Sequence, residues 1–214
     1  MSVNVNRIFI FFFSLLLLIA AGCYAYWQEI VFLIIPVALL LCVWLVQYPE
    51  RLFYLLMFFI PWSVECQFTP VLAVDLPDEP LMLLCSVAAL VLIIYRRNER
   101  FHGPLHPLIL IVVLQVGWIF LTTVTSTDIG LSLKYFAAKT WYLLAFLVLP
   151  LLLFTDRKVF ITSALILLLS TTAVMIVTLI RHLQYNFSFQ SVNEAVEPFF
   201  RNHVNYSALL VFMV

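Results

Sequence analysis

Long apolar runs, separated by short stretches that carry charge or proline, dominate this sequence. A helix needs about 20 apolar residues to cross the roughly 30 Å hydrocarbon layer of a bilayer. Seven runs approach that length, and an eighth begins near the C-terminus. They predict an all-α fold, a polytopic transmembrane helix bundle in one multi-pass domain over residues 1–214. The predicted spans are residues 8–26, 30–47, 52–64, 81–95, 105–124, 135–154, 159–180 and 205–214.

Composition agrees with a membrane location for nearly the whole chain. Hydrophobic residues make up 65% of the 214 residues and charged residues only 10%, against roughly 45 to 50% apolar residues in soluble domains. Eleven basic residues balance eleven acidic ones, so the charge gives no reason to expect nucleic-acid binding. The four cysteines form no CxxC pair or His-Cys cluster, and we predict no metal site and no cofactor.

The third run, residues 52–64, is unusually short. Its thirteen residues span only about 20 Å as a helix, so it must recruit flanking residues or lie beside a thinned or protein-lined region. Pro61 and Trp62 near its end predict a kink and an interfacial anchor. The following stretch, Cys66–Pro80, contains three prolines and is expected to be a loop on the membrane surface.

Basic residues in the connections indicate the orientation of the chain. With the N-terminus in the cytoplasm, the inner connections carry seven Arg and Lys residues and the outer ones four. The positive-inside rule therefore predicts a cytoplasmic N-terminus. Residues 182–204 then form an outer, periplasmic loop.

Lys139 is one of the few ionisable residues inside a predicted span, and such residues are functional candidates. On a helix, Tyr135 and Tyr142 lie on the same face as Lys139. Lys139 is therefore a candidate substrate-binding residue. The simpler interpretation, which we favour, is that its side chain snorkels to the outer interface.

Five polar residues crowd the start of the eighth run: Arg201, Asn202, His203, Asn205 and Tyr206. If a helix begins near Arg201, Arg201 and Asn205 share one face, and His203 and Tyr206 lie together on a neighbouring one. The N–H groups of a helix start and an arginine fork suit an anionic ligand such as phosphate. The alternative is an interfacial cap that only anchors the helix end. Both interpretations stay open on the sequence alone.

Asp75, Asp78 and Glu79 are a second polar group. Three carboxylates can form a binding site. Acids followed by a proline, as in Asp78-Glu79-Pro80, are also typical of a helix start. We favour the helix start.

Three stretches of the chain resemble the O-antigen ligase and O-antigen polymerase superfamily. They are "PERLFYLLMFFIPWSVECQFTPVLAVDLPDEPLM" (Pro49–Met82), "SLKYFAAKTWYLLAFLVLP" (Ser132–Pro150) and "EPFFRNHVNYSALLVFM" (Glu197–Met213). The last is similar to the start of a middle transmembrane helix of that family, where a basic residue and an Asn- or His-containing pair precede an aromatic residue. The three stretches follow one another along most of the chain.

The resemblance implies a bacterial inner-membrane glycosyltransferase. Such proteins transfer a glycan from undecaprenyl diphosphate to lipid A-core, or to a growing polysaccharide, at the periplasmic face. The resemblance implies that no metal is needed and that outer-face arginines bind the diphosphate, a role that falls on Arg201. It also implies a catalytic histidine in a large late loop, which we expect downstream of Val214, and His203 is not assigned that role.

Two other functions and one structural property follow from the same sequence. A transporter or flippase for a lipid-linked or anionic substrate also has many apolar spans, although we find no internal repeat among the seven. A membrane scaffold protein would leave the polar cluster at residues 201–206 without a purpose.

The last apolar run is too short to cross a bilayer, so we expect this chain to be the N-terminal part of a longer protein and inactive by itself.

Overall fold

The computed structural model describes residues 2–29, 31–69, 72–95, 107–200 and 202–211. The chain is mostly helical (83%), which confirms the predicted all-α class. It forms two compact units, residues 1–48 and residues 49–214.

The first unit is a pair of helices, α1 (Ser2–Trp27) and α2 (Val31–Gln47), that pack against each other. Ala20 of α1 and Leu45 of α2 are buried. Pro36 lies inside α2. Proline is tolerated within membrane helices because neighbouring groups re-satisfy the freed carbonyl.

The second unit contains eight α-helices and a two-stranded sheet within the described residues. Short 3₁₀ turns cover Ile60–Trp62 and Phe189–Ser191, and a π-helical segment covers Leu144–Val148. The elements are α3 (Pro49–Phe59), β1 (Val64–Thr69), β2 (Leu72–Leu76), α4 (Asp78–Tyr95), α5 (Pro107–Val124), α6 (Ile129–Leu143), α7 (Leu149–Leu153), α8 (Arg157–Gln184), α9 (Val192–Val196) and α10 (His203–Val211).

Three helical segments among the described residues are long and apolar enough to cross a membrane: Asp78–Tyr95, Ile129–Leu153 and Arg157–Gln184. Two other apolar helical stretches, Phe13–Cys23 and Ile109–Val124, are shorter. A helix covers most of each of the seven predicted runs. Large apolar side chains are exposed along these helices, for example Trp118 and Leu169, each at 68%. Such a surface suits lipid better than water.

The core of the second unit lies where α3 packs against α4 and α8. Leu52, Phe53, Leu56 and Met57 form the buried face of α3, at the spacing of one side of a helix. The α4 surface adds small buried residues, Cys85, Ala88 and Ala89 among them. Small side chains allow membrane helices to approach closely.

Hydroxyl groups join the helices across this core. The Ser86 hydroxyl of α4 is 2.8 Å from the carbonyl oxygen of Met82 and 3.0 Å from that of Trp141 in α6. The Ser170 hydroxyl of α8 donates to the carbonyl oxygen of Phe58 in α3. Such hydrogen bonds between helices stabilise bundles in a medium without water.

The sixth predicted run, residues 135–154, begins earlier and is less regular than expected. Helix α6 starts at Ile129, where the Asp128 side chain accepts a hydrogen bond from the Leu131 N–H at 3.0 Å. The helix then changes to the π-helical segment ahead of Pro150. Proline has no N–H and its ring clashes with the carbonyl four residues earlier, and this accounts for the wider turn.

The prediction for the end of the third run was wrong. Helix α3 ends at Phe59, and Pro61 lies in a 3₁₀ turn that closes the helix instead of kinking it. The predicted surface loop, Cys66–Pro80, contains most of an antiparallel β-hairpin and the start of α4. The predicted outer loop, residues 182–204, likewise contains the end of α8, the helix α9 and the start of α10.

Candidate functional site

A cavity of about 470 Å³ lies in the second unit, bounded by the end of α3, the hairpin, the first turn of α4, α6 and the chain that enters α10. Its volume is within the roughly 300 to 1,000 Å³ that is usual for small-molecule sites. The polar residues of its wall are Ser63, Glu65, Asp75, Asp78, Glu79, Tyr142 and Asn205. The remaining wall residues are Ile60, Pro198, Phe199 and Phe200.

The hairpin brings Glu65 and Asp75 to the cavity. Glu65 on β1 pairs directly with Asp75 on β2, and residues opposite each other on antiparallel strands point to the same side of the sheet. Like charges in such a pair are destabilising. The register thus holds two carboxylates side by side at the cavity.

The first turn of α4 adds Asp78 and Glu79. The Asp78 carboxylate accepts hydrogen bonds from the Ser63 hydroxyl and from the Glu79 N–H, the latter at 2.9 Å. Acids at a helix start are favoured by the unpaired N–H groups there, so the predicted helix start is confirmed. Asp78 and Glu79 also line the cavity. A helix start and a place in a binding site are therefore compatible for these two acids.

Four carboxylates therefore surround the cavity. Asp75 and Asp78 both repel the charge of Glu79, which Lys134 of α6 attracts. Within the described part of the chain, no group of three or more His, Cys, Asp or Glu residues is arranged to hold a metal ion.

Aromatic residues form another part of the wall. Phe199 contacts Trp62 edge to face at a ring distance of 5.4 Å, and Phe200 contacts Tyr206 at 5.2 Å. Tyr142 reaches the cavity from α6. Each of the two phenylalanines of the wall thus packs against a second aromatic ring.

The residues of the predicted polar cluster at the start of α10 make different contacts in the structure. The Asn202 side chain accepts a hydrogen bond from the Asn205 N–H at 2.9 Å, as an N-cap residue does. Among the cluster residues that the structure describes, Asn205 lines the cavity. Arg201, the predicted diphosphate ligand, lies outside the described residues.

His203 and Tyr206 make contacts that fix the entry to α10. The backbone N–H of His203 donates to the Asn193 side-chain oxygen at 3.1 Å, and its ring nitrogen Nδ1 is 2.8 Å from the same oxygen. The Thr178 hydroxyl of α8 lies 3.3 Å from the Tyr206 hydroxyl and donates to it. These contacts tie α10 to α8 and α9.

Lys139 is separate from this arrangement. It is exposed, and its Nζ lies 5.4 Å from the centre of the Tyr135 ring, one helical turn earlier. Lys139 is not among the residues that line the cavity. The structure thus pairs Lys139 with Tyr135 and does not bring it to the cavity.

Sequence reasoning missed most of the cavity wall, namely Ser63, Glu65, Tyr142, Phe199 and Phe200. One signal was present. The segment "VECQFT" (Val64–Thr69) alternates apolar and polar residues strictly, the period of a strand with one polar face. That alternation places Glu65 and Gln67 on one face of a strand. The three prolines of Cys66–Pro80 favoured a loop instead, and the strand pattern was overlooked.

Comparisons of the chain with protein-family models, with curated proteins and with solved structures give no match.

Proposed function

We propose that this chain belongs to a multi-pass glycosyltransferase of the bacterial inner membrane, of the O-antigen ligase or polymerase type. The reaction moves a glycan from undecaprenyl diphosphate to lipid A-core or to a growing polysaccharide on the periplasmic side. An acceptor hydroxyl bonds to the anomeric carbon, the bond from that carbon to the diphosphate breaks, and a general base takes the hydroxyl proton.

The observation that carries this proposal is the origin of the cavity wall. All of its residues come from the three stretches that resemble the family: Pro49–Met82, Ser132–Pro150 and Glu197–Met213. These stretches are far apart in the sequence. Their convergence on one polar cavity is what a shared active site would require, because residues of one site come together from distant segments.

We further propose seven spans and a cytoplasmic N-terminus, as the distribution of basic residues along the sequence predicts. In that topology the hairpin, the start of α4 and the chain entering α10 all lie on the periplasmic side, and these segments meet at the cavity. The start of α3 and the turn before α8 then lie on the cytoplasmic side. Their aromatic residues also meet, with Phe53 and Phe160 each in ring contact with Phe154.

The chemistry of the donor supports a role for the start of α10. A diphosphate leaving group is stabilised by positive charge and N–H donors placed where negative charge develops. Arg201 and the first N–H groups of α10 are the proposed ligands, with Asn202, His203, Asn205 and Tyr206 as the surrounding substrate-binding segment. Lys139, on the same periplasmic half in this topology, keeps a proposed role toward the anionic donor or the lipid interface.

Gene deletion tests the function. We expect loss of the polysaccharide ladder, or loss of its attachment to core bands, on a gel of surface polysaccharide. Full restoration by the wild-type gene and none by R201A or R201K would support the diphosphate role, since lysine lacks the bidentate fork. An unchanged ladder and unchanged core bands after deletion would refute the transferase proposal.

Transport is the alternative outcome of the same experiment. A flippase deletion leaves lipid-linked glycan on the cytoplasmic side, whereas a transferase deletion leaves it on the periplasmic side. Labelling of the accumulated glycan in intact cells with an impermeant reagent separates the two. Transporter sites usually lie at the middle of the membrane between broken helices, and the cavity described here is bounded by helix ends and a hairpin.

A further inference from the structure

We propose that the turn after α8, residues 185–189, inserts its aromatic side chains into the lipid headgroup layer of the membrane that α8 can cross. Residues 185–189, the aromatic turn, contain one tyrosine and two phenylalanines. The partner of this exposed surface is the phospholipid interface. The proposal is independent of glycan transfer and of the side of the membrane on which α8 ends.

The length of α8 brings its end to the headgroup layer. Its 28 residues, Arg157–Gln184, extend about 42 Å at 1.5 Å per residue. The hydrocarbon layer of a bilayer is roughly 30 Å thick, and roughly 40 to 45 Å with both headgroup layers included. Basic residues mark both ends of α8, Arg157 at the first and Arg181 in the last turn, as interfacial anchors do. The aromatic turn follows directly and therefore lies at headgroup depth.

Exposed apolar side chains connect α8 to the aromatic turn. Ile176, Ile180 and Leu183 lie on one face of α8, and each is at least half exposed. Phe187 and Phe189 continue this surface beyond the end of the helix, and Phe189 is 80% exposed. A contiguous exposed apolar surface marks a contact with a membrane or a protein. Continuity with the apolar face of a helix long enough to span a bilayer favours the membrane.

Hydrogen bonds hold the aromatic turn against the last turn of α8. The Asn186 N–H donates to the Leu183 oxygen at 3.0 Å and the Phe187 N–H to the His182 oxygen at 3.1 Å. These are the two hydrogen bonds of a Schellman motif. The His182 ring contacts the Phe187 ring at a distance of 5.3 Å, and its Nε2 lies 3.1 Å from the Ser188 oxygen. A closed, hydrogen-bonded turn thus presents the aromatic side chains.

The aromatic turn is also connected to the elements that follow it. The Phe189 ring lies 6.1 Å from the ring of His203, the first residue of α10. The Arg181 guanidinium donates a hydrogen bond to the Glu194 backbone oxygen of α9 at 3.1 Å. Because α9 and α10 are attached to the same end of α8, insertion of the aromatic turn sets the depth of the start of α10 in the membrane.

Quenching by brominated lipid tests the location of the aromatic turn. The chain contains five tryptophans, so the emission that F189W adds is measured as a difference from the wild type. Both proteins are placed in nanodiscs with or without phospholipid brominated near the upper end of its acyl chains. Interfacial side chains reach about 5 to 10 Å into the boundary of headgroups and acyl chains, so we expect about a twofold loss of the added emission. Phe189 is exposed, so the variant should fold as the wild type does.

E194W is the matched control, because Glu194 is an exposed acid of α9 and carboxylates avoid the apolar layer. Acrylamide in the water should quench its added emission, and brominated lipid should not. Quenching of F189W by acrylamide alone would place the aromatic turn in water, and quenching by neither agent would show that protein covers it. Either result, or equal quenching of F189W and E194W by brominated lipid, would overturn the proposal.

Discussion

Replacing Ser170 with alanine removes a hydrogen bond that ties α8 to the end of α3. The Ser170 hydroxyl donates to the backbone oxygen of Phe58, and Ser170 is only 2% exposed. The Phe58 oxygen lies in the last turn of α3, where carbonyl groups lack the usual partners within the helix. Pro61, three residues further on, has no N–H to offer it. Ser170 therefore supplies a donor at a point where the helix backbone is short of one.

The size of the effect follows from the burial of this bond. Hydrogen bonds between membrane helices contribute about 0.6 kcal/mol on average and up to about 1.7 kcal/mol. A buried acceptor left without its donor adds a penalty of about 1 to 3 kcal/mol when no other group replaces the donor. We therefore expect S170A to lose about 1 to 2 kcal/mol of unfolding free energy, which is roughly a 5- to 30-fold change in the unfolding equilibrium.

Reversible unfolding in mixed micelles of mild detergent and dodecyl sulfate measures this loss. S163A is the matched control, because Ser163 is also buried on α8, at 3%, and its hydroxyl donates within the helix to the Val159 oxygen at 2.8 Å. That oxygen belongs to a regular helical turn, so we expect S163A to cost less than about 0.5 kcal/mol. Equal losses in the two variants would refute the role assigned to the bond between helices.

Substitutions at three further residues, Asn202, Lys139 and Asp75, give additional tests. N202A should cost about 1 kcal/mol of unfolding free energy through loss of the α10 cap, and N202S should recover most of it. K139Q should change stability by less than about 0.5 kcal/mol, as expected of an exposed cation beside Tyr135, and a large loss of transfer activity would instead favour a functional role. D75N should stabilise the hairpin by about 0.2 to 1 kcal/mol at pH 7, because it relieves repulsion by Glu65. Denaturation of the two proteins over a salt series measures this, because salt screens the repulsion and should reduce the gain, and a gain that is the same at about 1 M salt would contradict the charge explanation.

The helices could be predicted because a single physical requirement generates them. Backbone groups in an apolar medium must bond within their own segment, so an apolar run such as residues 159–180 becomes part of a helix, here Arg157–Gln184. The ends of the helices were harder to predict, because the capping residues lie in the polar segments that flank the apolar runs. The Asp156 side chain accepts a hydrogen bond from the Lys158 N–H at 2.8 Å and caps α8. The helix therefore begins at Arg157, two residues before the apolar run.

The cavity was mostly hidden because it depends on contacts between distant segments. Asp75, Asp78 and Glu79 were noticed as a group, but Glu65 joins them only through the register of the hairpin. Tyr142 resembles any other aromatic residue of an apolar helix, and its position at the cavity depends on how α6 packs against α4. A sequence pattern of one period describes an element, and it carries no information on which elements meet.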